Sequence, residues 1–137
     1  MKSVTQIEFT VLGTPRPQGS MKQLRHRISG EFVSMPDNLK TKPWKQEVAR
    51  TALWERVPRL TGPLAVKLQF FFAKPKSRPK SWTEPAVKPD LDKLIRAIFD
   101  SVKGICWNDD AQVVAVAAEK AYGLPERVVV EIQEILK

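Results

Sequence analysis

The chain has 137 residues, 42% hydrophobic and 28% charged, and 23 lysines and arginines against 15 aspartates and glutamates give a formal net charge of +8. This composition predicts one soluble globular domain, and no apolar stretch approaches the about 20 residues that a membrane span requires. The N-terminal segment alternates polar and apolar residues as a strand does, which argues against an export signal. The lone Cys106 cannot form an internal disulfide, so we expect a cytoplasmic protein in which Cys106 is a small buried hydrophobe.

The positive charge is concentrated in two segments. Residues 14–50 contain eight basic and three acidic side chains, and residues 71–89 contain five basic and one acidic. Clusters of this kind are typical of nucleic-acid-binding surfaces, because they neutralise the phosphate backbone. The alternative interpretation is a solvated surface that keeps the protein soluble.

The first part of the chain predicts a strand, a loop, a short hairpin and a helix. Residues 5–12 alternate as a strand, and the glycines and prolines of "GTPRPQGS" end it in a loop. The basic stretch "MKQLRHRISGEFVSM" predicts a hairpin that turns at "SG". A helix is expected over residues 43–57, with Pro43 at its start and apolar side chains at helical spacing.

A strand over residues 63–73 is expected at the centre of the sheet, because it ends in a fully apolar run. Residues 74–89 are rich in proline and basic side chains and predict a surface loop. Two further strands, "AQVVAVAAEKAYG" and "RVVVEIQEIL", predict an antiparallel hairpin beside the central strand. The expected core residues of this hairpin are Val113, Val114, Val116, Val128, Val130 and Ile132, and Trp44, Trp54 and Trp107 are also expected to pack inside.

The stretch "KPDLDKLIRAIFDSV" predicts an amphipathic helix over residues 90–103, ended by Gly104. Its buried face is formed by Leu91, Leu94, Ile95, Ile98, Phe99 and Val102. Asp90 and Asp92 stand at the start of the helix, and Arg96 shares a flank with Asp92. One interpretation is purely structural, because carboxylates at this position can satisfy free backbone amides and the helix dipole.

A second acidic group follows this helix in "WNDDAQVV", where Asp109 and Asp110 precede a strand. Alone it predicts an Asx-type turn. One helix and a short connection could also return the chain so that these carboxylates lie near Asp90 and Asp92. Gathered carboxylates repel one another unless a hard cation binds them, and oxygen ligands suit magnesium or manganese. His26 is the only histidine, which argues against a zinc cage or a histidine-based triad.

The two motifs "KPDLDKLIRAIFDSV" and "GICWNDDAQVV" together resemble the RusA family of Holliday junction resolvases. In that family an aspartate pair opens a helix and a W-x-D-D-x-Q-V segment follows it. The resemblance is closest over residues 88–114 and extends loosely over 63–135, and "GTPRPQGS" is similar to an early proline-containing segment of the family. It implies a bacterial or phage-encoded α+β protein of one domain over residues 1–137, with a mixed or antiparallel sheet, about two helices, and a homodimeric assembly.

The resemblance also implies an activity, the symmetric nicking of four-way DNA junctions by phosphodiester hydrolysis. The cofactor would be Mg²⁺, with Mn²⁺ as a substitute. The metal ligands would be Asp90, Asp92 and Asp110, with Asp109 as a candidate fourth. Lys93 stands where the family commonly has Asn. Arg96 stands where the family has a functionally important Lys, and it would keep a positive charge, as a planar fork, beside the phosphate.

Basic side chains around such a site would offset the repulsion between acidic residues and DNA. The residues expected to bind DNA are Arg16, Lys22, Arg25, Arg27, Lys74, Lys76, Arg78, Lys80, Trp82, Lys88 and Lys93. Trp82 is the aromatic residue expected to touch DNA, by stacking or wedging at an opened junction. Symmetric cleavage needs two sites, which suits a twofold dimer. A different interpretation is a non-catalytic nucleic-acid-binding module, in which the aspartates have no chemical role.

Overall fold

A computed structural model describes residues 5–19, 21–25, 32–36 and 39–135, which form one small α+β domain. The strands are β1 (Gln6–Leu12), β2 (Met21–Arg25), β3 (Phe32–Pro36), β4 (Leu64–Phe72), β5 (Val113–Tyr122) and β6 (Arg127–Glu134). The helices are α1 (Thr41–Trp54) and α2 (Leu91–Val102), and a short 3-10 turn, Asp110–Gln112, precedes β5. Within this part of the chain, neither helix has the length and apolar character to cross a membrane.

Four strands form a mixed sheet in the order β1, β6, β4, β5. β6 runs antiparallel to both of its neighbours, whereas β5 is parallel to β4. The strand expected at the centre, β4, is therefore confirmed as central. β2 and β3 pair antiparallel in a separate two-stranded sheet, which confirms the expected basic hairpin, although its turn at residues 29–30 lies outside the described residues.

Helix α1 begins two residues before the expected start and ends three residues before the expected end. Its end is set by Arg56, which adopts a left-handed conformation with φ of 54°. The Arg56 amide donates to the Leu53 carbonyl (3.1 Å) and the Val57 amide to the Ala52 carbonyl (3.2 Å). These two bonds satisfy the last carbonyls of α1 and turn the chain away from the helix axis.

The expected hairpin of the last two strands is wrong, because β4 lies between β5 and β6. α2 crosses over the sheet and delivers β5 parallel to β4, so the connection 123–126 must pass the end of β4 to reach β6. Gly123 makes this passage possible, since a Cβ there would lie 2.9 Å from a ring atom of Phe71. The hairpin and the parallel arrangement have the same alternation of residues, so the pattern alone did not separate them.

One core joins the sheet with both helices. The buried face predicted for α2 is confirmed, because its central residues are fully buried and the others pack against them. Val128, Val130 and Ile132 are buried as expected, as are Trp44 and Trp107, and Val113 is partly buried. Three expectations are wrong: Val114, Val116 and Trp54 are 65%, 48% and 81% exposed. Trp54 ends α1, and the two valines lie on β5 at the edge of the sheet.

Candidate functional site

Asp90 occupies the N-cap position of α2, but its side chain makes no capping hydrogen bond. Only its backbone carbonyl takes part in the helix, accepting from the Leu94 amide at 3.1 Å. The Asp90 carboxylate is 54% exposed and lies 3.9 Å from the Lys93 ammonium, and Asp92 is exposed in the first turn. The structural interpretation of Asp90 as a side-chain cap is therefore wrong. The positive end of the helix dipole attracts both carboxylates. The side-chain oxygens of Asp90 nevertheless accept no hydrogen bond from the helix amides.

An open cleft of about 440 Å³ lies beside Asp90. Its walls come from the loop after β1, the end of β4 and the start of α2. It is lined by Thr14, Pro15, Arg16, Pro17, Phe72, Lys88, Pro89, Asp90 and Lys93. One carboxylate thus stands among three cations, Arg16, Lys88 and Lys93, all of which the sequence had suggested for DNA binding. A cleft with this charge pattern attracts a phosphate chain while keeping an acidic group within it.

The loop after β1 is fixed to both helices. The Gln18 amide donates to the Lys93 carbonyl (2.9 Å), the Thr41 hydroxyl to the Pro17 carbonyl (2.7 Å) and the Lys45 ammonium to the Gln18 side-chain oxygen (2.9 Å). These bonds place the "GTPRPQGS" loop, and Arg16 within it, against the start of α2.

Glu126, which the sequence did not single out, joins the ends of β1 and β4, two strands whose ends lie beside the cleft. One carboxylate oxygen accepts from the Thr14 hydroxyl at 2.6 Å and the other from the Ala73 amide at 3.0 Å. The Gly13 amide donates to the Glu126 carbonyl at 3.0 Å. The Thr14 hydrogen bond, followed by that from Ala73, lowers the pKa of the Glu126 carboxyl below its usual value. No short motif marks such a residue, because its partners are far apart in the chain.

Lys120 is a second positioning residue that the sequence did not reveal. Its ammonium donates to the carbonyls of Val87 (2.7 Å) and Pro89 (2.9 Å), the residues that lead into Asp90. The half-buried Lys120 lies near the end of β5, so it joins that strand to the start of α2. A lysine within a largely apolar strand was the available signal, but it is equally typical of a solvated strand position.

The turn expected at "NDD" is confirmed for Asp109. Its carboxylate accepts from the Ala111 amide at 2.9 Å, and the side-chain oxygen of Gln112 accepts from the Asp109 amide at 2.9 Å. The pair is a reciprocal cap that fixes the 3-10 turn before β5. Asp109 therefore has a structural role that its assignment as a fourth metal ligand did not include.

Asp110 is held in place by a hydrogen bond from Trp107, which in turn packs against Phe99 of α2. The fully buried Trp107 donates its indole N–H to Asp110 Oδ1 at 2.8 Å, and its ring meets Phe99 of α2 edge-on at 5.3 Å between centroids. Gln112 Nε2 donates to the carbonyls of Leu60 (3.0 Å) and Gly62 (3.1 Å) just before β4. The half-buried Asp110 is thus fixed beside the starts of β4 and β5.

The two pairs of aspartates do not converge within one chain. Asp90 and Asp92 lie where β4 and β5 end, since Phe72 and Asp90 line the same cleft and Lys120 reaches Pro89. Asp110 lies where both strands begin, at the other end of α2, whose 12 residues span about 18 Å. Among the described residues no group of three or more His, Cys, Asp or Glu side chains could hold a metal ion. The expected return of the chain is therefore wrong, because within one chain Asp109 and Asp110 do not come to lie near Asp90 and Asp92.

The proline-rich segment 74–89 has no helix or strand, as expected. Lys76 and Lys80 are exposed, and the guanidinium of Arg78 stacks 4.8 Å from the centroid of the Trp82 ring, which is 40% exposed. Lys74 folds back to the Lys80 carbonyl at 3.3 Å. The loop therefore presents several cations and one aromatic face to solvent, a combination that suits a nucleic-acid strand.

The other predicted residues are spread over the surface or lie outside the described part. Arg96 is exposed on α2, one turn after Asp92. Lys22 and Arg25 belong to β2, of which only the backbone is described, and His26 and Arg27 fall outside the described residues. Cys106 is fully buried, and burial raises the pKa of its thiol to about 12. This confirms that Cys106 packs as a hydrophobe, because a thiol with such a pKa is not a nucleophile near neutral pH.

Comparison with known proteins adds an independent finding. The family described as Endodeoxyribonuclease RusA matches residues 13–133. A protein of Bacillus subtilis (strain 168), "Uncharacterized protein YqaN", is 33% identical over 140 residues, covering 94% of this chain and 96% of its own. The "Crossover junction endodeoxyribonuclease rusA" of Lactococcus phage r1t is 31% identical over 136 residues, covering 98% and 100%. The match spans the cleft, α2 and the turn before β5, and the chain belongs to the RusA endodeoxyribonuclease family.

Proposed function

We propose that this protein is a metal-dependent endodeoxyribonuclease that resolves four-way DNA junctions by symmetric hydrolysis of two phosphodiester bonds. Family membership supports the class of reaction, and the phage relative is named for cleavage at crossover junctions. The observation that carries the proposal is the uncapped Asp90 carboxylate in a cleft lined by cations.

The charge pattern of the cleft explains how an acidic site can accept DNA. A carboxylate alone would repel the phosphodiester backbone, but Arg16, Lys88 and Lys93 line the same cleft and offset that repulsion. Arg96 extends the positive flank one turn further along α2 and can present a planar fork to a phosphate. We assign these four residues to backbone binding, which positions a strand without reading its sequence.

The carboxylates give the site its affinity for a hard cation. Asp90, Asp92 and Asp110 are the proposed ligands of Mg²⁺, with Mn²⁺ as a substitute, because carboxylate oxygens are the donors that both ions prefer. When bound, such an ion neutralises charge on the phosphate and activates a water. Within one chain only Asp90 and Asp92 share an end of the sheet, so the ligand set is incomplete there.

The proline-rich loop is the proposed contact for the branch of the junction. Its exposed lysines, Lys76 and Lys80, can follow a strand, and Trp82 offers a ring face on which an unpaired base can stack. The Arg78 guanidinium on the other side of that ring restricts its movement. A four-way junction that is opened at its centre leaves base faces there without a stacked neighbour, so this contact favours junctions over a linear duplex.

The test is cleavage of a synthetic four-way junction and a matched linear duplex, with magnesium or with chelator. We expect paired symmetric nicks in the junction alone, and their loss with chelator. Asp90→Asn is expected to reduce cleavage at least about 100-fold while junction binding persists, because the substitution removes a ligand and keeps the shape. Asp100→Asn is the matched control, since Asp100 lies on the same helix but pairs with Lys45 at 3.7 Å, away from the cleft.

The competing interpretation is a non-catalytic nucleic-acid-binding module. It predicts that the wild-type protein binds junctions but cleaves nothing in magnesium or manganese, and that Asp90→Asn changes no measurable activity. Either result would overturn the proposed nuclease.

A further inference from the structure

The last turn of α1 presents an apolar surface to solvent. Leu53 and Trp54 are the final two residues of the helix, and they are 63% and 81% exposed. Within the part of the chain that the structure describes, the Trp54 ring makes no aromatic or cation–π contact, unlike Trp82 in the proline-rich loop. A tryptophan left in water forgoes the stabilisation that its burial would give. Exposed tryptophans that rest on a concave surface are typical anchors of protein interfaces.

A cavity of about 210 Å³ lies beside this tryptophan and is lined by Arg50, Thr51 and Trp54. Whole small-molecule ligands usually occupy about 300–1,000 Å³, so this volume suits a single side chain of a larger partner. Its polar groups are already paired. The Glu47 carboxylate accepts from the Arg50 guanidinium at 2.7, 2.8 and 3.1 Å, and the Glu47 carbonyl accepts from the Thr51 hydroxyl at 2.8 Å. An aromatic side chain is therefore the occupant that the cavity fits.

Arg56 provides a second, independent observation. It is the one non-glycine residue with a positive φ, 54°, in the described part of the chain. Glycine or asparagine usually takes this position after a helix, because a Cβ disfavours the left-handed conformation. Strained residues of this kind are concentrated at functional sites. An arginine here, two residues after Trp54, indicates that its exposed side chain has a use that glycine could not supply.

The residues that follow the apolar surface make its rim positive. Arg56 and Arg59 are both exposed, and Arg59 donates to the Gly104 carbonyl at 2.6 Å, which uses one of its five N–H donors. Lys103, which precedes Gly104, is exposed as well. Against these three cations stands the carboxylate of Glu55. The rim is therefore complementary to a partner that carries carboxylates.

We propose that the end of α1 is a docking site for an acidic peptide segment of another protein. One aromatic side chain of the peptide occupies the cavity against Trp54, and its carboxylates pair with Arg56 and Arg59. The burial of the aromatic ring supplies most of the affinity, whereas the charge pairs orient the peptide and make its binding sensitive to salt.

A nucleic-acid strand is the less suitable occupant, because Glu47 and Glu55 would repel its phosphates. The site also lies away from the cleft. Thr41 at the start of α1 donates to the Pro17 carbonyl beside the cleft, whereas Trp54 ends this helix of 14 residues, about 21 Å long. We therefore expect the peptide and a DNA junction to bind at the same time.

The experiment measures the binding of a fluorescein-labelled peptide of aspartate and glycine residues that ends in phenylalanine, by fluorescence polarisation. We expect a Kd of about 10 µM that rises with salt, and no binding of the same peptide with alanine in place of phenylalanine. Trp54→Ala should weaken binding at least about 10-fold. Arg56→Gly should weaken it about 5-fold without lowering the melting temperature, because glycine adopts the left-handed conformation readily. A merely structural role of Arg56 would not separate these two readouts.

Two matched controls should bind the peptide as the wild type does. Leu124→Ala removes another apolar side chain that is 75% exposed, and Lys67→Gln removes an exposed cation from the sheet. The proposal is overturned if the wild type does not bind the peptide, or binds the phenylalanine and alanine peptides equally.

Two further outcomes would assign the surface to a different occupant and overturn the proposal. Displacement of the peptide by a four-way junction, with weaker junction binding by Trp54→Ala, would assign it to DNA. A molar mass in light scattering that falls on Trp54→Ala substitution would assign it to a contact between two copies of the chain. None of these measurements requires cleavage, so they decide the docking site whether or not the protein is a nuclease.

Discussion

The two edge strands of the sheet, β1 and β5, differ in what they show to solvent. β1 alternates cleanly, with Phe9 and Val11 in the core and Gln6, Glu8 and Thr10 exposed. β5 instead exposes four consecutive residues, 114–117, all of them valine or alanine. Polar side chains protect β1 against unwanted pairing, and β5 lacks that protection over the same length.

This difference shows that the two edges are protected to different degrees against pairing with another strand. A strand that faces water on one side is selected for alternation, whereas a strand buried on both sides reads as a continuous apolar run. β5 is apolar over its first six residues, like a strand that is buried on both sides. Within one chain, however, it lies at an edge of the sheet and faces water. A strand of a second molecule paired along this edge would remove the conflict, because β5 would then lie inside a larger sheet.

The largest effect is expected from adding charge to the β5 edge. Val116→Lys adds an ammonium to the middle of this apolar edge. Symmetric cleavage needs two sites, so if this edge joins two copies we expect the variant to be a monomer and to lose junction cleavage at least about 100-fold. The measurements are molar mass by light scattering and nicking rate at the same protein concentration. The free energy of unfolding of the monomer should change little, because Val116 is already half exposed in one chain.

Thr10→Lys provides the matched control on β1. Thr10 is exposed on the opposite edge, so the variant is expected to keep the mass and nicking rate of the wild type. The comparison breaks down if both variants behave alike, or if Val116→Lys is monomeric and fully active. The second result would show that cleavage does not depend on pairing at this edge.

A smaller effect is expected at the C-terminal end of β5, where Lys120 holds the entry to α2. Lys120→Met keeps the length and apolar stem of the side chain but removes both hydrogen bonds to the carbonyls of Val87 and Pro89. We expect a fall in cleavage of about 10-fold with little change in junction binding, because Asp90 loses its position while the cations of the cleft remain. Single-turnover cleavage and junction binding are measured on the same preparations.

Lys103→Met is the control that separates the positioning role of Lys120 from the effect of its charge. Lys103 is exposed at the other end of α2, so its loss changes the net charge equally without touching the cleft. Equal effects of the two substitutions on binding and cleavage would show that Lys120 acts only through long-range attraction of DNA.

Much of the fold could be predicted, because periodicity is a local property. The buried face of α2, the central position of β4 and the irregular loop before α2 all follow from the spacing of apolar residues, proline and glycine. The order of β5 and β6 could not be predicted, since parallel and antiparallel neighbours have similar sequences. Val114 and Val116 were expected in the core because an apolar residue on a strand gives no indication of whether the strand lies inside the sheet or at its edge.

The candidate site could be predicted only in part. Asp90, Asp92 and Asp110 stand out because short motifs carry them, whereas Lys120 and Glu126 act through backbone carbonyls, amides and a hydroxyl far away in the chain. The expected convergence of the aspartates failed for a topological reason. A crossover helix returns antiparallel to its strands, so the residue that begins α2 and the turn that begins β5 lie at opposite ends.

The smallest effect is expected at the end of β1, where Glu126 ties Thr14 to the end of β4. Its folded-state pKa is lowered, mainly by the Thr14 hydroxyl, so its contribution to stability is present above the ordinary carboxyl value of 4.5 and is lost as pH falls through the folded value. Glu126→Gln should therefore lower the melting temperature by about 2 °C at pH 7, and the difference should shrink towards zero as the pH falls through the lowered folded-state pKa of Glu126. Glu131→Gln, on the other face of the sheet from the helices, removes the same charge and is the control for a general effect of net charge on the melting temperature. If Glu126→Gln also weakens junction binding a few-fold without changing the molar mass in solution, the end of β1 shapes the cleft through the loop that carries Arg16.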